Sequence, residues 1–300
     1  MSEAPIARRV LESMRRQVRS KVINLAAIRE GNALAQALQE TVVTPQELKG
    51  SHPAFALYAY VQNQMAVMAE QLLELKEMQA FAKVIDEAHE EYMPSWPPMS
   101  PISTSYFWGW SNFDVTVNAH RETLGSVILR VAKEFGVHPT MLAIMQTFND
   151  SRMGIYRVEG TTDAGVRLMD LVTGQRCAAI CESGYRGTLG ELWFTRVLPP
   201  PAFPGHSEHV VFTSPYVLIA PDEAAWTQYF DRIAAKDPKR PRIEALGRHL
   251  KGAASRRYWP EFVFEGYVNH CPGAIYLKGL PDVPASRPHS KEYVHHGANG

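Results

Sequence analysis

Two histidines and a glutamate lie within four residues of one another in the C-terminal half of the chain: His206, Glu208 and His209. Imidazole and carboxylate groups are common zinc ligands, and a hydrolytic metal site needs three such ligands and a water molecule that the metal activates. This cluster therefore makes a metal- or His-dependent hydrolase one hypothesis, with His206, Glu208 and His209 as its catalytic candidates. Asp170 or His270 would contribute only if the fold brought them near.

No other catalytic motif accompanies this cluster. The sequence contains no glycine-rich phosphate loop, no Gly-x-Ser-x-Gly nucleophile elbow and no His-Glu-x-x-His pattern. Loop histidines are common, so we expect neither a resident metal nor a cofactor. Whether the chain is an enzyme stays open on these residues alone.

A run of basic residues from Lys236 to Arg257 is the second candidate site. Only Asp237 and Glu244 oppose the lysines and arginines of this run. Clustered Lys and Arg favour contacts with phosphate groups, so the run predicts binding to a polyanion such as nucleic acid. The alternative is an ordinary solvated helix face. The nucleic-acid prediction rests on Arg248, Lys251, Arg256 and Arg257.

Residues 132–142 resemble the turn of a helix-turn-helix. Ala132 would allow two helices to approach closely, and Gly136 would supply the turn. DNA reading requires donors on the second helix, where Gln146 is the only strong candidate for a base edge. We therefore interpret the segment as a helical corner and keep a helix-turn-helix DNA-binding protein as a further alternative.

The three cysteines, Cys177, Cys181 and Cys271, form a sparse and odd-numbered set that fits a reducing cytosol. Cys177 and Cys181 would share one face of a strand, but zinc knuckles space two cysteines by two residues and need two further ligands. We predict that both are buried and bind no metal. The sequence has no apolar run of the ~20 residues that a membrane helix needs. These features predict a cytoplasmic protein without a membrane partner.

The elements that position these residues include a strand-rich stretch over residues 153–220. Its five short runs are rich in β-branched or aromatic residues and are bounded by Gly, Pro, Asp or Ser. The runs begin at Gly154, Gly165, Arg176, Glu191 and His209. Five short strands with compact turns predict a small antiparallel β-barrel or a curled sheet that is packed by helices.

Part of this stretch resembles a segment of uncharacterised bacterial proteins, some of which carry a C-terminal cysteine-rich SEC-C motif. The resemblance covers residues 153–198 and lies in Leu168–Gly174, Arg186-Gly187 and Gly190–Arg196. It implies no catalytic residue. It implies no zinc site either, because this chain lacks the clustered terminal cysteines of such proteins.

Helical patterns dominate the N-terminal third. An amphipathic helix is predicted over residues 3–30, and one continuous helix over residues 53–92, where neither Gly nor another Pro follows Pro53. At 1.5 Å per residue the second helix would be on the order of 60 Å long. It carries a heptad-like, coiled-coil seam of Tyr58, Val61, Met65, Met68, Leu72 and Leu75. This seam would pack against the first helices or against another subunit.

The predicted fold class is α+β, with an N-terminal long-helix arm followed by a domain that contains the small β-barrel. We assign the helical arm to residues 1–92, a Pro-rich linker to 93–104, the globular domain to 105–280 and a disordered tail to 281–300. The composition of 45% hydrophobic and 21% charged residues, with no net charge, is that of an ordinary globular chain. The favoured function is a non-enzymatic interaction or adaptor protein. Its partner would be another protein, or a second copy bound through the arm, and nucleic acid is a further candidate.

Overall fold

The computed structural model describes residues 5–19, 47–92, 101–163, 165–202, 205–252 and 257–288. The chain divides into two compact units, each made from two stretches of sequence. The first unit comprises residues 1–85 and 116–149, and the second comprises residues 86–115 and 150–300. Most of the predicted linker, residues 93–100, lies outside the described residues.

The α-helices of the described residues are α1 (Pro5–Arg19), α2 (Pro53–Leu73), α3 (Gln79–Tyr92), α4 (Pro101–Gly109), α5 (Leu124–Glu134), α6 (Pro139–Asp150), α7 (Glu223–Ala235), α8 (Arg242–Gly252) and α9 (Tyr258–Glu265). Short 3-10 helices cover Glu47–Gly50, Lys76–Met78 and Pro284–Ser286, and a π-helix covers Trp110–Asp114.

The first unit is helical and is held by a helix cap between residues far apart in sequence. The Glu122 carboxylate accepts the backbone N–H groups of Ile6 and Ala7, each at 3.0 Å. The first N–H groups of a helix have no partner within it, so this buried carboxylate satisfies the start of α1. Thr123 and Ser126 form a capping box at the start of α5.

The prediction of one continuous helix over residues 53–92 is wrong, and no long-helix arm is formed by the described residues. Leu75 is extended (φ −72°, ψ 138°) and separates α2 from the 3-10 turn before α3. This break allows Met78 and Phe81 to be fully buried, which offsets the lost helical hydrogen bonds. The buried positions of α2 include Ala69, while Met68 of the predicted seam is half-buried.

The second unit contains a closed five-stranded barrel, which confirms the predicted small β-barrel. Its strands are β1 (Met153–Thr161), β2 (Gly165–Asp170), β3 (Arg176–Cys181), β4 (Leu192–Leu198) and β5 (His209–Val211). Their order is β1-β2-β3-β5-β4, and pairing of β4 with β1 closes the ring. The neighbours are antiparallel except for the parallel pair β3–β5.

Three further strands extend the sheet from β4: β6 (Tyr216–Ala220), β7 (Tyr267–Cys271) and β8 (Ala274–Lys278), in the order β4-β6-β8-β7. Helix α9 ends at Glu265, and Tyr267 opens β7. Within the predicted tail, Pro284–Ser286 forms a 3-10 helix, and residues 289–300 lie outside the described part.

A π-helix over Trp110–Asp114 lies at the end of the first stretch of the second unit. It brings Asp114 to Arg196 of β4, with Nη2 2.6 Å from Oδ2, and both side chains are almost fully buried, at 4% and 1% exposed. Arg196 also donates to the Ser151 hydroxyl (2.8 Å), and its guanidinium lies over the Phe113 ring, 5.6 Å from the centroid. A buried ion costs several kcal/mol to desolvate, so each partner requires the other.

We expect Arg196→Ala or Asp114→Ala alone to lower the free energy of unfolding by about 3–5 kcal/mol, because each leaves an unpaired buried charge. The double variant Arg196→Met/Asp114→Leu should lose less than the sum of the two losses. Urea unfolding of the wild type, the two single variants and the double variant measures these free energies of unfolding. Removing the exposed Arg8–Glu12 pair is the control and should cost under ~1 kcal/mol. Single losses no larger than the control would contradict a central role for the buried pair.

Candidate functional site

The predicted hydrolase residues lie on the loop before β5 and at its start. His206, Glu208 and His209 are all half-buried, and the Glu208 carboxylate accepts the backbone N–H of Ser207 at 3.2 Å. Burial lowers the pKa of His209. Across the described ranges, no group of three or more His, Cys, Asp or Glu side chains could hold a metal ion.

The auxiliary ligands considered for that site are engaged in other contacts. Asp170 accepts from Arg152 at 2.6 Å, and His270 Nδ1 lies 2.6 Å from the Tyr267 hydroxyl. The first contact joins the residue before β1 to the end of β2, and the second lies within β7. The structure therefore does not bring these residues to the loop histidines as a ligand set.

Several arginines of the basic run form ion pairs with acidic side chains. Arg257 contacts both Glu87 (2.8 Å) and Glu91 of α3, and Arg240 contacts Asp237 (2.8 Å) and Glu244. The ammonium group of Lys251 donates to the Ser151 carbonyl at 3.3 Å. Arg248 is exposed on α8, and Arg256 lies outside the described residues. The run thus presents less unopposed charge than its sequence indicates.

The helix-turn-helix-like segment forms a helical corner between α5 and α6. Gly136 has φ +74°, and the N–H of Val137 closes the end of α5 on the Ala132 carbonyl at 3.0 Å. Ile144, Met145 and Phe148 of α6 are buried, whereas Gln146 is exposed. DNA reading through Gln146 stays a prediction.

Cys177 and Cys181 lie on one face of β3 and pack in or against the interior of the barrel. Burial raises the pKa of both thiols, that of Cys177 to about 11. The thiolate is the form that attacks electrophiles or binds metals, so burial disfavours both roles. Neither they nor Cys271 forms a disulfide.

A cluster of polar side chains anchors the loop over residues 182–191, which connects β3 to β4. The Glu191 carboxylate accepts from the Tyr185 hydroxyl (3.1 Å), the Thr188 hydroxyl (3.1 Å) and the Trp193 indole N–H (2.9 Å). The Tyr185 ring also lies 5.6 Å from the Trp193 ring. Three donors on one carboxylate fix the loop against β4.

Backbone hydrogen bonds to β1 fix the C-terminal end of this loop, at Gly190 and Glu191. The N–H of Gly190 donates to the Val158 carbonyl (2.9 Å), and the N–H of Val158 donates to the Glu191 carbonyl (2.8 Å). Gly190 has φ +88°, which a residue with a side chain adopts only with strain. As a result, Leu189 is held on an ordered turn with 79% of its surface exposed.

Leu189 stands at the edge of an open depression of about 490 Å³ on the outside of the barrel. The depression is lined by Arg157, Val158, Glu159, Arg176, Leu189 and Gly190. Strand register places its two arginines in one row, because Arg157 pairs with Met169 of β2, and Met169 pairs with Arg176 of β3. We call this depression and Leu189 the barrel depression.

An ion-pair network orders the charges of the barrel depression. Glu159 accepts from Arg176 Nε (2.8 Å) and Arg157 Nη2 (3.2 Å), and Arg157 also reaches Glu223 of α7 (2.9 Å). The hydrogen bonds from Arg176 and Arg157 lower the pKa of Glu159, so it remains a carboxylate. Arg176 is 67% exposed, and its terminal amino groups make no hydrogen bond to another described residue.

Sequence reasoning missed these residues. Arg157 and Glu159 alternate along a strand, which places them on one face, and this pattern was available in the sequence. Their meeting with Arg176 depends on the registers of two strand pairs, which the sequence does not specify.

None of the described helices is both long and apolar enough to cross a membrane. Comparisons with protein-family models, curated proteins and solved structures find no match to this chain. The resemblance of residues 153–198 to SEC-C-bearing bacterial proteins stays a prediction.

His249, which lies within the basic run, has a pKa that its surroundings lower. His249 of α8 has Nε2 2.6 Å from the Tyr229 hydroxyl and packs edge-on against Tyr258, with ring centroids 5.3 Å apart. Burial lowers the pKa of His249 to about 4, and Lys236 acts in the same direction, while Asp282 opposes it.

We expect protein stability to fall as the pH drops from about 6.5, the usual histidine pKa, to about 4, because the unfolded chain then binds a proton that folded His249 does not. The melting temperature should therefore depend less on pH in His249→Gln than in the wild type over this window. His209 leaves a residual slope, since its pKa is also lowered. The exposed His120→Gln is the matched control. Equal slopes in His249→Gln and wild type would refute this assignment.

Arg257→Ala should lower the melting temperature, because it removes a link between α9 and two carboxylates of α3. The loss should be on the order of 1 kcal/mol, since the pair is partly exposed. Nucleic-acid affinity, measured by gel-shift titration at two salt concentrations, should not change. A steep loss of affinity in Arg257→Ala without a loss of stability would favour the polyanion hypothesis.

Proposed function

We propose that this chain is a non-enzymatic interaction protein that binds an extended segment of a partner protein at the barrel depression. The observation that carries the proposal is that the ordered, 79% exposed Leu189 lines the same depression as Arg176, whose terminal amino groups make no hydrogen bond to another described residue. An apolar anchor beside a planar cation suits a segment with an apolar side chain near a carboxylate.

The energetics favour such a ligand. Full burial of a leucine side chain contributes about 1.5–3 kcal/mol. The guanidinium fork matches a carboxylate in geometry and charge. Because Glu191 and the backbone bonds to Val158 already order the loop, binding does not bear the entropic cost of fixing it.

The proposed partner binds the barrel and not the helical arm that the sequence predicted as its binding surface. The arm is interrupted at Leu75, and its seam residues Tyr58, Val61, Met65 and Leu72 are buried within the first unit. A polyanion partner receives less support, because Arg240, Arg242 and Arg257 contact local carboxylates. The hydrolase alternative receives no support from the positions of His206, Glu208 and His209.

A photo-crosslinking amino acid at position 189 tests the proposal in the native host. We expect a discrete protein adduct from position 189 and none from position 219, where Ile219 is exposed to a comparable degree at 53%. The adduct from position 189 should disappear with Arg176→Glu, because a reversed charge repels the partner carboxylate. Arg248→Glu is the matched charge reversal on α8 and should leave the adduct unchanged.

Affinity for the identified partner should then be measured by calorimetry. Leu189→Asp should weaken binding about ten-fold or more, since it replaces the apolar anchor by a charge. Equal adducts from positions 189 and 219, or unchanged affinity in Leu189→Asp, would refute the proposal. Loss of binding on Arg248→Glu instead would assign the partner to the basic run.

A further inference from the structure

Helix α1 has two faces of different chemistry. Its apolar face lies inside the first unit, where Ile6, Val10 and Leu11 are buried. The exposed side of the helix carries the charged residues Arg8, Arg9, Glu12, Arg15 and Arg16. Residues seven apart lie about two turns apart on one side of a helix, so the four arginines form two rows, each about 10 Å long. We call this exposed side the α1 arginine face.

The arginines of this face are not all neutralised. Arg8 Nε lies 3.7 Å from the carboxylate one turn further along α1, and Arg15 contacts Glu134 at the end of α5. The guanidinium groups of Arg9 and Arg16 have neither an ion-pair nor a hydrogen-bond partner among the described residues. These two side chains therefore present positive charge that no described carboxylate opposes.

An exposed aromatic ring follows the contact between α1 and α5. Glu134, whose carboxylate contacts Arg15, is followed directly by Phe135, and 52% of the surface of Phe135 is exposed. Guanidinium forks bind phosphate oxygens in pairs, and nucleobases stack on exposed aromatic rings. Single-stranded nucleic acid presents both phosphates and unstacked bases, so its chemistry complements this surface.

A membrane surface complements the α1 arginine face less well. A helix that lies on a bilayer buries its apolar face among the lipids, whereas the apolar face of α1 is already packed in the first unit, with Val10 fully buried. The helix is also ordered before any ligand binds, because Glu122 accepts the backbone N–H groups of Ile6 and Ala7. Binding therefore does not bear the entropic cost of forming the helix.

We propose that the α1 arginine face is a binding surface for single-stranded nucleic acid, with Arg9 and Arg16 on its phosphates and Phe135 against a base. Phosphate contacts and stacking do not read base identity, so the binding does not depend on a particular sequence. The surface is separate from the barrel depression and from the basic run, and it does not depend on the function proposed for the depression.

Fluorescence anisotropy of labelled oligouridylate and oligothymidylate tests this surface on the full chain. We expect the wild type to bind both strands at low salt, with an affinity that falls as salt rises. Arg9→Gln/Arg16→Gln should weaken binding about ten-fold or more. It should also reduce the slope of log affinity against log salt by about 1.4, since each phosphate contact on a single strand contributes about 0.7. The melting temperature should not change, because both side chains are exposed.

The matched control is Arg242→Gln/Arg248→Gln, which removes two exposed arginines from α8 of the second unit. This variant should leave both the affinity and the salt slope unchanged. Phe135→Ala separates stacking from charge. It should weaken binding about five-fold or more because a stacked base loses its partner, and it should leave the salt slope unchanged.

Absence of binding to both oligonucleotides at low salt would overturn the proposal. An equal loss of affinity in the α8 control would overturn the assignment to α1. Tighter binding of duplex DNA than of either single strand, with no effect of Phe135→Ala, would overturn the assignment to single strands. Vesicles of phosphatidylserine and phosphatidylcholine provide the membrane comparison. If they bind the wild type more tightly than both oligonucleotides do, and Arg9→Gln/Arg16→Gln abolishes that binding, the face belongs to a membrane and the proposal is wrong.

Discussion

The burial of Arg196 constrains the arrangement of the second unit. Removing its charge from water is tolerable only if Asp114 meets it, so the π-helix before Val115 must lie against β4. The same guanidinium bonds the Ser151 hydroxyl just before β1, and the Ser151 carbonyl receives Lys251 of α8. One side chain thus connects the entry to the barrel, a central strand and a helix. Apolar contacts alone would tolerate small shifts between these elements, but a buried ion pair does not.

Once β4 is fixed, barrel closure determines where the surface charges lie. The β1–β4 pairing closes the ring, and the β1–β2 and β2–β3 registers place Arg157, Met169 and Arg176 in one row. Gly165 is essential to that register, because a Cβ at this position would lie 1.9 Å from the Ala179 carbonyl oxygen. A slip of one residue would turn the arginines of the barrel depression inward. The depression is therefore a consequence of strand pairing.

The sequence predicted the five barrel strands because short β-branched runs between turn residues are a local signal. It also predicted the helical corner at Gly136, where the turn needs a positive φ. The break at Leu75 could not be predicted, because no breaker residue marks it and its cause is the burial of Met78 and Phe81. The π-helix at Asp114 and the row from Arg157 to Arg176 depend on partners distant in sequence. Local propensity contains no information on such partners.

The basic run shows why a count of charges along a sequence does not predict a surface field. Arg240 precedes α8 and Arg257 precedes α9, and the carboxylates that they contact come from the loop before α8, from α8 itself and from α3. Each exposed pair contributes little to stability and is screened by salt. Together, however, these pairs reduce the unopposed positive charge that would attract a polyanion. In the barrel depression, Glu159 has a different effect, because it orients Arg176 through Nε while the terminal amino groups remain accessible. The same kind of ion pair thus compensates arginines in the basic run and fixes the position of an arginine in the barrel depression.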